Sequence, residues 1–117
     1  MIAKTGIAFL SFSLTEKLKT KEERKNVANT LLKELSVIET TLKRKEPYKA
    51  TTLAFDSLVS KISLFHPDTI WAMLFIYNDL HFMLRPNSTW AQKDYERLYV
   101  NIDSAIMFLD REAKRRL

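Results

Sequence analysis

The sequence predicts an all-α fold, an antiparallel helical bundle of four to five helices in one domain spanning residues 1–117. Three observations carry this. Gly6 is the only glycine, and hairpins and bulges depend on glycine for positive φ. Two long stretches carry apolar residues at alternating steps of three and four. Prolines fall at three points only, Pro47, Pro67 and Pro86, and mark breaks between periodic segments. At 46% hydrophobic and 28% charged residues, the composition is that of a folded chain.

The first segment, about residues 2–18, places Ile7, Leu10, Leu14 and Leu18 at helical spacing. Leu10, Phe12 and Leu14 also alternate with polar residues, which is a strand pattern. Helix is the expectation, because a lone strand has no partner within the chain. A break is expected at Lys19–Thr20. Thr20 and Glu23 then form a capping box opening the second helix, with Glu22 and Glu23 favoured by the helix dipole. Ala28, Leu31, Leu35, Ile38 and Leu42 make its heptad seam, and Pro47 stops it.

The third helix is expected from about Tyr48 to Phe65, with Ala50, Ala54, Leu58, Ile62 and Phe65 on one face. His66-Pro67-Asp68 ends it and starts the fourth, since proline suits a first helical turn. That fourth helix, to about Leu84, is apolar nearly all round. Asn87-Ser88-Thr89 matches a glycosylation acceptor and reads instead as a helix cap. The fifth helix, about Ser88 to Leu117, steps through Ala91, Tyr95, Leu98, Ile102, Ala105 and Leu109. Helices of 25–30 residues reach about 40 Å, long for a bundle of 13.7 kDa. Such helices overhang and recruit a second copy.

Cysteine is absent, which removes disulfides, thiolate nucleophiles and Cys-ligated zinc, and leans the expectation to the cytoplasm. The apolar run Gly6–Leu14 lacks the basic region and small-x-small cleavage site of a secretory signal. The run from Ile70 to Tyr77 is too short to span a bilayer, so no membrane partner is expected. His66 and His81 do not pair with acids at ligand spacing, so no metal is expected. With one glycine there is no nucleophile elbow or phosphate loop. The expectation is no catalytic residue, no cofactor and no small-molecule substrate.

Two surfaces remain. Wound at 100° per residue, Trp71, Phe75, Asn78 and Phe82 share one face of the fourth helix, flanked by Asp79 and Arg85. Ile70, Met73, Ile76, Tyr77, Leu80, Met83 and Leu84 take the opposite arc and read as core. Aromatic anchors with a polar rim describe a protein-contact face. The leading expectation is therefore a non-enzymatic interaction or adaptor protein that self-associates or docks onto a protein partner. Its anchors are Trp71, Phe75, Asn78, Asp79 and Phe82, with the two heptad faces as an alternative surface.

The second surface is basic. Net charge is +5, but residues 50–110 carry 4 basic and 7 acidic side chains, so the positive charge lies at the two ends. It clusters at Lys17, Lys19, Lys21, Arg24 and Lys25, at Lys43, Arg44, Lys45 and Lys49, and at Arg111, Lys114, Arg115 and Arg116. In an up-down bundle the last cluster falls beside the first. The alternative partner is accordingly nucleic acid, held by basic helix ends without a helix-turn-helix signature.

Overall fold

A computed structural model describes the backbone of residues 2–114 and the side chains of residues 19–114. Four α-helices and two 3₁₀ segments follow in order: α1 (Ile2–Lys43), 3₁₀ turns at Pro47–Lys49 and Val59–Leu64 flanking α2 (Leu53–Leu58), then α3 (Pro67–Met83) and α4 (Gln92–Lys114). Among the described residues there is no strand, and the all-α expectation holds.

The expected break at Lys19–Thr20 is absent. α1 runs unbroken for 42 residues and merges the first two expected helices. A capping box acts only where the chain leaves the helix, and nothing here forces it to leave, since no proline precedes Pro47. Threonine is accommodated inside this helix. Thr30, Thr40 and Thr41 each turn the hydroxyl back onto the carbonyl four residues earlier, at 2.8, 3.0 and 2.8 Å. α1 is closed two residues past its end by Lys45, whose φ of 58° is left-handed. Its N–H donates to the Leu42 carbonyl and that of Glu46 to the Thr41 carbonyl, a Schellman closure made without glycine.

The expected third helix is also corrected. Residues 47–65 form two 3₁₀ pieces around six α-helical residues, because Thr51 and the distant Glu34 take up backbone amides that a continuous helix would use. Ala50 is extended at φ −73°, ψ 146°. The Thr51 hydroxyl accepts from Leu53 N at 3.2 Å. The Glu34 carboxylate of α1 then accepts from Ala54 N at 2.6 Å and Phe55 N at 3.1 Å, fixing where α2 begins. The last helix starts at Gln92, not Ser88, and Asn87-Ser88-Thr89 does not cap it. Asn87 turns the chain with φ 69°, and Asp94 accepts from Ala91 N at 2.9 Å instead. That bond, then Arg97, holds the Asp94 carboxyl below its usual range.

Both heptad seams are buried against each other. Ala28, Leu31, Leu35, Ile38 and Leu42 face Leu98, Ile102, Ala105 and Leu109, with Tyr95 almost covered. Ala91, expected to begin the seam, is exposed ahead of the helix. α1 and α4 run antiparallel: the Tyr99 hydroxyl donates to the Leu42 carbonyl at 2.9 Å near one end, and Arg24 lies 3.7 Å from Glu112 near the other. α3 closes the core with Met73, Ile76, Tyr77, Leu80 and Met83. Tyr77 stacks on Phe55 with centroids 3.9 Å apart and donates to Glu34 at 2.7 Å, joining α1, α2 and α3 at one point.

The molecule measures 69 × 23 × 19 Å. Its radius of gyration, 18.3 Å, exceeds the about 13 Å of a compact chain of this length. The excess follows from α1, which has 42 residues against 23 in α4.

Candidate protein-contact surface

α3 owes its two faces to its sequence. His66 Nδ1 accepts from Asp68 N at 3.2 Å and Pro67 occupies the first turn, so the helix starts where the proline predicts. From there the residues of the expected core arc go inward. Trp71, Phe75 and Phe82 go outward, at 71, 64 and 61% exposure, and Asn78 is exposed among them. The stripe runs about 16 Å along the helix. Exposed aromatic area sums to about 400 Å², because each such side chain can bury 150–250 Å².

The rim is polar and internally paired. On one side Asp79 receives a two-pronged bond from Arg97, Nε to Oδ2 and Nη2 to Oδ1, both 3.1 Å. Arg97 also reaches Asp94 at 3.0 Å. Asp79 therefore ties α3 to α4 at the edge of the aromatic face. On the other side His81 Nε2 lies 3.0 Å from Asp56 and 3.1 Å from the Thr52 hydroxyl. Arg85 sits 5.3 Å from the Phe82 ring centre, in cation–π range. The heptad faces of α1 and α4, the alternative contact surface, are spent on the core.

Several members of the basic clusters are buried or paired. Arg24 is buried against Glu112, which corrects its assignment as a phosphate contact. At the far end of α1, Lys43 pairs with Glu39 at 3.4 Å and Lys49 with Glu46 at 3.0 Å. Lys45 lies 3.7 Å over the Tyr95 ring and 3.3 Å from Gln92, while Arg44 points to solvent. Lys114 pairs with Asp110 at 2.9 Å, and Arg111 lies 5.5 Å from the Phe108 ring centre. Lys21 and Lys25 are half-buried, and Lys19 is exposed. The Lys17 side chain and the whole of Arg115 and Arg116 lie outside the described residues. The Arg24–Glu112 pair does set the C-terminal end of α4 beside the first cluster, as the up-down arrangement implied.

One feature escaped the expectations. Glu112, 2% exposed, accepts from His66 N at 2.8 Å and the Thr69 hydroxyl at 3.0 Å as well as facing Arg24. It clamps α1, α3 and α4 at one end of the core. The signal was present: continuing the α4 heptad three residues beyond Leu109 reaches Glu112, and stepping four back from Ala28 reaches Arg24. The clamp also forms one wall of a cleft of about 490 Å³ that includes Phe108, Asp110 and Arg111. Its acids already serve structural bonds. Among the described residues, no three metal-ligating side chains converge, and no helix is long and apolar enough to cross a membrane.

No family model, curated protein or solved structure matches this chain.

Proposed function

We propose that this chain is a non-enzymatic helical interaction protein, assembling with itself or docking onto a protein partner through the outer face of α3. The carrying observation is that Trp71, Phe75 and Phe82 stand 61–71% exposed on one helix whose opposite face builds the core. Burying such rings is worth about 25 cal/mol per Å², so about 400 Å² offers a driving force near 10 kcal/mol before association costs. Aromatic side chains in a polar rim have the composition of binding hot spots. Here the rim pairs Asp79–Arg97 and Asp56–His81 are already bonded, so an approaching surface meets few unmet charges.

Nucleic-acid binding draws less support. Arg24 is internal, and Lys43, Lys49 and Lys114 have acidic partners. Such contacts count by the charges free to displace counterions.

Hydroxyl-radical footprinting tests the proposal. Trp71, Phe75 and Phe82 are expected to oxidise readily in the dilute purified chain and to be protected in cells that express it. Equal oxidation of all three rings in both settings refutes it.

A further inference from the structure

Resting on that reading of α3, we infer what covers the face: the N-terminal segment of α1, residues 2–18, from a second copy of the chain, in a reciprocal two-fold exchange.

The argument begins with where α1 leaves its own bundle. Glu23 pairs with Lys61 at 2.9 Å and Arg24 with Glu112 at 3.7 Å, which sets the level on α1 reached by residues 59–64 and by the C-terminal end of α4. α4 is described only two residues past Glu112, to Lys114. The helical backbone of α1 continues from there back to Ile2. The part of this overhang proposed to dock, residues 2–18, is about 26 Å long at 1.5 Å per residue, and the 69 Å long axis accommodates it.

The sequence of the overhang is not that of a solvated helix end. The three-and-four stepping that defines the α1 seam continues backward from Ala28 through Arg24, Lys21 and Lys17, then through Leu14, Leu10, Ile7 and Ala3. Charges occupy the seam register where α1 departs from α4. Apolar residues resume in that register beyond it. A heptad stripe of this kind seeks a second helix surface.

The α3 face fits in three respects. α3 has 17 residues, about 25 Å, which matches the overhang in length. α3 begins at the level of Arg24, since Glu112 binds both Arg24 and His66 N, so its first turn adjoins the root of the overhang. A two-fold axis near that root turns the partner's overhang antiparallel along α3, with its Leu14 end at Trp71 and its Ile2 end towards Phe82. Charge also agrees in sign, because residues 2–18 carry Lys4 and Lys17 against Glu16, while α3 carries Asp68 and Asp79.

Area argues for reciprocity. One overhang on one face removes about 400 Å² from each side, below a specific interface. Two such contacts related by symmetry reach about 1,600 Å², the standard size.

Sedimentation velocity on the full chain across micromolar concentrations is the test. A particle of twice 13.7 kDa is expected. Leu10→Glu with Leu14→Glu breaks the overhang, and Trp71→Ser with Phe75→Ser breaks the face. Each pair is expected to yield monomers, weakening assembly about 30-fold or more per anchor, with far-ultraviolet dichroism showing the helices retained. Mixing the two monomeric variants is expected to restore a weaker heterodimer, because one intact overhang then meets one intact face. A dimer lost with the face variant but indifferent to the overhang variant overturns the inference and leaves the α3 reading standing. A dimer indifferent to the face variant overturns the inference and the self-assembly half of the α3 reading. A wild-type monomer overturns the inference, as does a monomer whose overhang instead binds vesicles of phosphatidylcholine and phosphatidylserine. In those two cases footprinting in cells decides the α3 reading separately.

Discussion

Replacing Glu112 by alanine removes the acceptor shared by His66 N and the Thr69 hydroxyl and withdraws the carboxylate facing Arg24. Breaking a buried pair by deleting one partner costs about 3–5 kcal/mol, and each orphaned donor about 1–3 kcal/mol. These costs overlap because all three partners surround one carboxylate, so the expected loss is about 4 kcal/mol. For a chain of this size that lowers Tm by about 20 °C. Thermal and urea melts followed by dichroism at 222 nm measure it. Glu112→Gln keeps an oxygen acceptor and loses only the charge, so about half the penalty is expected. A cycle with Arg24→Met isolates the ion-pair contribution, expected at about 1 kcal/mol or more. Because the site is shielded from solvent, molar salt leaves the loss largely intact. A loss below about 1 kcal/mol for the alanine variant, or no coupling to Arg24, refutes the clamp.

Glu34→Ala leaves Ala54 N, Phe55 N and the Tyr77 hydroxyl without their acceptor, at a cost of about 2–3 kcal/mol, and hydrogen exchange across residues 53–58 quickens selectively; unchanged protection there refutes the role assigned to Glu34. Burial, then the bond to Glu34, holds the Tyr77 phenol far above its ordinary value of 10.0. The unfolded phenol ionises first, so this contribution is full below pH 10 and shrinks as pH rises beyond it; urea melts in that range are expected to show the decline and Tyr77→Phe to flatten it, whereas equal slopes contradict the burial argument. Asp79→Asn is expected to cost under about 1 kcal/mol, because Arg97 is 43% exposed; a urea-melt loss above about 2 kcal/mol means the pair is more than a surface tie.

Periodicity made the core legible. Every residue from Ala28 to Leu42 named on the α1 seam is buried, as is each α4 seam residue after Ala91, because helix-on-helix burial leaves a repeating mark in the sequence. The outer face of α3 was legible for the same reason. Its apolar residues divide into two arcs, and three helical neighbours cover only one. What stayed hidden depends on residues far apart in the chain. Nothing near Ala54 announces that Glu34 will bind it, so the division of residues 47–65 was not foreseen. Thr20 and Glu23 form a valid local cap, but a local signal is overridden when the helix on either side continues. Arg24 has the charge of a surface residue, but its register places it on the seam. Asp79 shared the flank of the aromatic face, and only the three-dimensional position of Arg97 shows where its carboxylate is used.

The pairing of α1 with α4 also orders events during folding. The Leu42 carbonyl and the Tyr99 hydroxyl that meets it are 57 positions apart, and the seam they border is the main core contact. On a ribosome α1 emerges before α4, with a stripe of leucines whose α4 partner is not yet made. α2 and α3 cover part of it, and α4, made after them, supplies the facing seam. Loop closure over such separations is slow beside the making of the helices themselves. Between the synthesis of α1 and that of α4 this stripe therefore lacks its α4 partner, and a chain cut before Leu98 never gains it.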